Sequence, residues 1–172
     1  MTLELRAPRD ADLAALTEVM NQPGVRAGTL RLPHTGERLV KRLFFDAGPN
    51  TYVLVGAVDG QAIAAGALIR KGGRRAHAAE VVLFVHDDHQ GRGHGRKLLA
   101  ALLDLADNWL GLTRVELDVN TDNAAAIHLY EEAGFNHEGT RRADTLRDGV
   151  LIDSHVMGRL RPPPKRAAEG SG

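Results

Sequence analysis

The hexapeptide Gln90-Gly91-Arg92-Gly93-His94-Gly95 constrains this chain more than any other segment, because of what lies on either side of it. Upstream, Glu80-Val81-Val82-Leu83-Phe84-Val85-His86 is an apolar run of strand length. Downstream, Leu98, Leu99, Leu102, Leu105, Ala106 and Trp109 recur at helical spacing up to Gly111, which is placed to end a helix. That spacing also predicts a buried Trp109. A strand that turns through glycines into a helix offers a row of main-chain N–H groups at the positive end of a helix dipole, where an anion binds. Glycines suit such a turn because side chains would block the close approach of a phosphate and because some positions need positive φ. Arg92 and Arg96 add charge beside it, or are simply solvated.

Two common phosphate-binding patterns fail on spacing. A nucleoside-triphosphate loop needs lysine followed by serine or threonine after its last glycine, and Gly95 is followed by Arg96-Lys97-Leu98. A dinucleotide-binding turn needs two residues before its final glycine and sits on an early strand, whereas here one residue intervenes and the strand is the fourth.

Composition narrows the setting. With 172 residues the chain suits one domain over residues 1–160, followed by a Pro-, Gly-, Ser- and Ala-containing tail over 161–172 that is expected to be disordered. The absence of cysteine excludes disulfides, thiolate metal sites and an acyl-cysteine intermediate. Lys plus Arg equal Asp plus Glu at 22 each, so no net charge draws the protein to nucleic acid or anionic lipid, and no apolar run approaches membrane-spanning length. The start, Met1-Thr2-Leu3-Glu4-Leu5-Arg6, has none of the order of an export signal, and a cytoplasmic location is expected. His86, His89 and His94 straddle a strand end and the glycine turn instead of repeating on one face, and no metal is expected.

Ahead of the glycine turn, alternation around Leu3 and Leu5 predicts a first strand. Asp10 is positioned to cap a helix carrying Leu13, Leu16, Val19 and Met20 that stops near Gln22-Pro23-Gly24. A second helix is expected over 35–45 with Leu39, Leu43 and Phe44 inward, and a loop between the two helices. Tyr52–Val55 and Ile63–Ile69 flank Asp59-Gly60, a hairpin turn signal. Lys71-Gly72-Gly73-Arg74-Arg75 reads as a solvated basic turn. After Gly111 come a strand over 114–119, a helix over 123–133 and two late strands near 136–144 and 150–160.

The helix over 123–133 carries a second constellation. Leu117-Asp118-Val119-Asn120 leads into Asn123-Ala124-Ala125-Ala126-Ile127-His128-Leu129-Tyr130-Glu131-Glu132-Ala133-Gly134-Phe135. Asn123 can cap the helix, the small alanines permit close approach, and Gly134 suits its end. Together with Val85 and the Gln90–Gly95 hexapeptide, this run resembles the GNAT superfamily of N-acetyltransferases. The likeness extends in element order from Leu3 to Leu160. It implies an α/β (α+β) fold: a central mixed, mostly antiparallel seven-stranded sheet with helices on both faces, splayed between strands 4 and 5.

The resemblance implies acetyl-CoA as co-substrate, bound by Phe84, Val85, Gln90, Gly91, Arg92, Gly93, His94, Gly95, Arg96, Asn123 and Tyr130, with its pyrophosphate on the glycine hexapeptide and its pantetheine facing the Val85 backbone. Tyr130 matches the family tyrosine that protonates the departing thiolate, or else anchors its helix to the sheet. Acetyl transfer needs an unprotonated amine, a polarised carbonyl and a proton for the sulfur. Glu80 is the candidate base, acting through water, or a surface carboxylate in an ion pair.

Pro33-His34, Asp107-Asn108-Trp109 and Leu146-Arg147-Asp148-Gly149 are similar to bacterial amino-acid N-acetyltransferases, which are often dimers. The branch implies a small amine bearing a carboxylate, received by Asn21, Arg26, Arg31 and His34, unless these are merely solvated. Asp144 and Leu151 stand where those relatives have tyrosines. Acetylation of a protein N-terminus or lysine, and a non-catalytic acyl-CoA-binding module, are the alternatives.

Overall fold

A computed structural model describes residues 2–167; the last part of the expected tail, 168–172, lies outside these. Seven strands form one mixed sheet in the order β1-β2-β3-β4-β5-β7-β6. They are β1 (Glu4–Arg6), β2 (Thr51–Val58), β3 (Gln61–Arg70), β4 (Ala78–Val85), β5 (Arg114–Asn120), β6 (Asn136–Arg147) and β7 (Val150–Leu160). Every neighbouring pair is antiparallel except β4 with β5. The turn between β2 and β3 follows from Asp59 and Gly60, whose φ values of 50° and 82° give the left-handed geometry that matches strand twist.

Helices cover both faces. On one side lie α1 (Leu13–Met20), α2 (Pro23–Gly28) and α3 (Glu37–Phe44), burying Leu16, Val19, Met20, Val25, Val40 and Phe44 against Val55, Ala65 and Phe84. On the other lie α4 (His94–Asp104) and α5 (Ala124–Glu132), with Leu98, Leu99 and Leu102 fully buried over the sheet. Burial of each such leucine stabilises the fold by about 1.5–3 kcal/mol. Helix α4 approaches β3 closely, since a Cβ on Gly66 would lie 2.7 Å from Leu102 Cδ1.

Four local expectations are corrected. Asp10 does not cap α1; Asp10–Asp12 is a 3-10 turn, and Asp12 receives the Arg9 amide at 2.7 Å and pairs with Arg6 at 2.7 and 2.8 Å. The stretch between α1 and α3 is a loop only in part: Pro23–Gly28 forms α2, because Pro23 occupies the first helical position, where its fixed φ and missing N–H are tolerated, and 29–36 is loop. In α3 the deeply buried residues are Val40 and Phe44, with Leu39 and Leu43 only partly covered.

Trp109 is 78% exposed, not core. After Asp104 the helix widens into a π-turn over Leu105–Trp109 that rotates the indole off the apolar face while Ala106 stays inside. Beyond β7, residues 161–167 have no regular secondary structure, but Arg161 is anchored by its N–H to Thr113 O at 2.9 Å and by its guanidinium to Asp107 at 3.0 Å.

The parallel β4–β5 pair has three rungs, Ala78 with Arg114, Ala79 with Val115 and Glu80 with Glu116, and then stops. Beyond Glu80 the two strands diverge and open a slot in the middle of the sheet.

Candidate active site at the sheet opening

Two cavities meet in this slot. The larger, of about 800 Å³, runs from the diverging strands at Phe84, Val85, Asp118 and Val119 along the glycine turn to Arg96, His128 and Glu132. The smaller, of about 180 Å³, lies on the α1–α3 side between Met20, Phe44, Glu80, Phe84 and Asp144. Gly28, Thr29, Leu83, Phe84, Asp118, Val119 and Tyr130 line both.

The wall contributed by β4 follows from strand alternation. His86 N–H is bonded to Ile63 O of β3 at 2.8 Å, so the amide and carbonyl of Val85 point the other way, into the slot. The Val85 carbonyl accepts from Gln90 Nε2 at 3.1 Å, which ties the start of the glycine turn to the strand end. Beyond that, Gly91 and Gly93 have φ of 70° and 80°, and Gly93 caps α4. A Cβ on either would meet nothing within 4 Å, so the left-handed backbone, not crowding, calls for glycine here. His94, Gly95 and Arg96 open α4, and the first turn of a helix leaves its N–H groups without internal acceptors. Gly95 packs its α-carbon toward Leu129, Leu83 and Val85. The geometry is that of an anion cradle on the cavity wall.

Of the residues singled out in the sequence for this cradle, Phe84, Val85, Gln90, Gly91, Gly93, His94, Gly95, Arg96, Asn123 and Tyr130 line the larger cavity, and Arg92 is exposed outside its lining. His94 is buried with Nδ1 unbonded among the described residues; burial first, then the fields of His89, Lys97 and Arg92, pulls its imidazole below the usual range. Asn123 caps α5, its Oδ1 receiving Ala126 N–H at 3.2 Å. Tyr130 stands one face inward, with its ring 5.8 Å from that of Phe135. Burial pushes its hydroxyl up to about 12.

The roof of the slot is α2. Its N-terminal end is held by Gly24 N–H to Asp87 at 2.8 Å, and a Cβ on Gly24 would lie 2.5 Å from that carboxylate. Its C-terminal end is held at Ala27 O by Asn120 Nδ2 at 3.1 Å and Arg147 Nη1 at 3.0 Å. Asp87 lies just past β4, Asn120 ends β5 and Arg147 ends β6, so α2 bridges the opening. Asn120 and Arg147 lie in stretches that the sequence singles out for other reasons, and nothing there foretells their hold on α2, although Pro23-Gly24 carries a usable signal: proline at a helix start, glycine at a close approach.

The smaller cavity receives Glu80 and Arg31, while Asn21, Arg26 and His34 are outside its lining. Asn21 is a buckle instead: its amide exchanges two 2.8 Å hydrogen bonds with the Thr35 backbone and donates to Thr17 O at 2.9 Å. Arg26 donates to Asn21 O at 3.1 Å, and His34 is exposed at φ 63°. Arg31 has no hydrogen-bond or ion-pair partner among the described residues, and burial draws its guanidinium below the usual arginine range. Glu80 lies 3.6 Å from Lys71, which also reaches Glu116 at 3.1 Å. Arg75 pairs with Glu116 at 3.0 Å, so two cations of the supposedly solvated basic turn brace the last rung before the strands part. Asp144 enters the wall through a bulge in β6, where Ala143 has φ 51° and donates its N–H to Asp153 at 2.8 Å.

Comparison with known proteins gives one answer. The model of the acetyltransferase (GNAT) family matches residues 22–135. An L-amino acid N-acetyltransferase of Escherichia coli K12 is 31% identical over 158 residues, 91% of this chain and 97% of its own. An L-amino acid N-acyltransferase of the same organism is 32% identical over 139 residues, 77% of this chain and 79% of that one. Among solved structures, a phosphinothricin acetyltransferase from Sinorhizobium meliloti in complex with AcCoA superposes with a TM-score of 0.84 at 21% identity, covering 98% of this chain and 96% of that one. Strand order, splayed slot, glycine cradle and a relative spanning nearly its whole length thus agree, and the chain belongs to the GNAT family of acetyltransferases.

Proposed function

We propose that this protein transfers the acetyl group of acetyl-CoA directly to the primary amine of a small carboxylate-bearing molecule, an amino acid, with residues 1–160 as one catalytic domain. The observation that carries the acceptor is Arg31, a half-buried guanidinium without a partner among the described residues, on the wall of a cavity of about 180 Å³ that joins the donor cavity at Tyr130. A desolvated, unpaired guanidinium favours a carboxylate, and a space of that size suits an amino acid. The E. coli relative that acetylates L-amino acids supports this reading.

The residues divide the reaction between them. The N–H groups of Gly91, Gly93, His94, Gly95 and Arg96 receive the pyrophosphate, with Gln90 holding the turn to Val85. The Val85 N–H, free on the slot side, donates to the thioester carbonyl and stabilises the oxyanion as the amine attacks. Glu80 takes the ammonium proton through a water, which frees the amine. The new C–N bond forms and the C–S bond breaks, Tyr130 gives its proton to the sulfur, and the surplus proton on the newly bonded nitrogen passes through water back to Tyr130, leaving the neutral amide and free CoA thiol. A hydroxyl pushed up to about 12 is in the protonated form such a donor needs at neutral pH. The sequence has no cysteine to carry an acyl intermediate, in keeping with direct attack.

A thiol-release assay over amino acids, polyamines and peptides tests the reading. Acceptor-dependent release of CoA with amino acids, lost on esterifying their carboxylate, is expected. Release with peptides alone would transfer the protein to N-terminal or lysine acetylation, and CoA binding without release on any amine would make it a binding module. We further infer a cytoplasmic homodimer; the exposed register partners Leu146 and Leu151 on the edge hairpin support the assembly, which sedimentation would test.

A further inference from the structure

The donor cavity is lined at its solvent-exposed part by three side chains that the transfer reaction does not use. Arg96, in the first turn of α4, is ion-paired with Glu132 at the last residue of α5, and His128, one turn earlier on α5, faces the other Glu132 oxygen at 3.6 Å. All three line the cavity, so the pair spans it from one helix to the other. The side chains are open to solvent, 63% for Arg96 and 36% for Glu132, and an ion pair in that setting is weak and readily exchanged.

The charge of the lining makes this pair matter. Three carboxylates, Asp118, Asp122 and Glu132, and two guanidinium groups, Arg96 and Arg147, face a space that takes a polyanion. Arg147 is committed to Asp122 and to Ala27 O, and Asp118 to Arg141. Arg96 is therefore the guanidinium of the lining that can be released to a ligand, and Glu132 is the group that holds it back.

Exposure sets which part of the ligand arrives there. Tyr130 is buried, whereas Arg96, in the turn of α4 that follows the glycines, and His128 and Glu132 are exposed to solvent; with the thioester at Tyr130 and the pyrophosphate on the glycine turn, the portion of the donor that reaches these exposed side chains is the nucleotide with its 3′-phosphate. We infer that Arg96 leaves Glu132 to bind the 3′-phosphate of the donor, and that Glu132 is a built-in competitor which lowers affinity for that phosphate. A phosphate dianion offers Arg96 stronger charge-assisted hydrogen bonds than an exposed carboxylate does, and Glu132 retains His128 as a neighbour when Arg96 departs.

The inference rests on the acetyl-CoA reading of the cavity and is tested by calorimetry with CoA and 3′-dephospho-CoA. For the wild type, CoA should bind more tightly than dephospho-CoA, increasingly so at low salt. Glu132→Gln should bind CoA about three- to tenfold more tightly and dephospho-CoA unchanged. Arg96→Met should weaken CoA about tenfold or more and erase the difference between the two ligands. Equal affinity of the wild type for both ligands, or a Glu132→Gln effect that is absent or equal for both, overturns the inference. Failure of the wild type to bind either ligand instead overturns the donor reading itself. Near-ultraviolet circular dichroism of both variants separates lost binding from lost folding.

Discussion

The two cavities that meet at Tyr130 are built of different material. Where the larger cavity meets the glycine turn its wall is main chain: glycines 91, 93 and 95, the opening turn of α4 and the slot edge of β4 past Glu80. The smaller cavity, which we propose receives the acceptor, is walled by the side chains of residues drawn from five separate elements or loops, Arg31, Glu80, Asp144, Met20 and Phe44. A backbone cradle fixes one ligand group by geometry and tolerates change around it. A side-chain wall changes its preference with every substitution, so one donor is shared while acceptors diverge.

If that contrast is right, Gly93→Val should have the largest effect. Valine is strained at φ 80° and its Cβ would project toward the ligand, so CoA binding should fall below calorimetric detection. Normal affinity would break the contrast at its root. Tyr130→Phe, at the junction, should lower kcat by about ten- to a thousandfold while CoA affinity stays within about twofold. An unchanged kcat would make Tyr130 a packing residue against Phe135. Because burial pushes the hydroxyl up to about 12, its proton is held throughout the neutral range, and wild-type turnover should lose nothing through this group from neutral pH to about 10. A loss in that window that vanishes in Tyr130→Phe would count against the assignment.

On the acceptor side, Arg31→Met should raise KM about ten- to a hundredfold for carboxylate-bearing amines and leave donor KM alone. Equal effects on an acceptor lacking the carboxylate would remove Arg31 from recognition. Asp144→Asn should be the smallest, a change of about two- to fivefold in acceptor KM that depends on the charge of the acceptor side chain. A shift in CoA affinity from either acceptor variant would show that the two walls are not separable.

The same difference in material explains what could be read without coordinates. Glycine spacing between an apolar strand and an amphipathic helix carries its geometry in one short stretch, so the cradle, the cap at Asn123 and the hairpin at Asp59-Gly60 were visible from sequence. The wall of the smaller cavity is legible only as single residues, Glu80, Arg31 and Asp144, because which residues meet there depends on tertiary packing. Arg26 and Arg31 are five residues apart and alike in charge, yet one braces the Asn21 carbonyl and the other faces the cavity. Helix α2 is hidden in the sequence because Pro23-Gly24 signals an ending as well as a beginning, and here proline starts a helix. Trp109 departs from its expected burial because the 3.6-residue period does not continue through a stretch that widens to a π-turn.

The three-rung β4–β5 ladder has a further consequence for the stability of the whole chain. A sheet that parts in its interior leaves main-chain polar groups of two central strands without each other as partners, and α2 roofs only one side of the gap. A slender, amide-containing ligand lying in the gap would supply the missing hydrogen-bond partners and complete the sheet as a substitute strand. The apo protein should therefore open first at this seam, with hydrogen exchange fastest on the slot edges of β4 and β5. CoA at about a hundred times its Kd should add about 2.7 kcal/mol of stability by mass action, seen as a rise in Tm together with slowed exchange at the seam. The acetyl donor would then be a reagent of the enzyme and also one of its structural members.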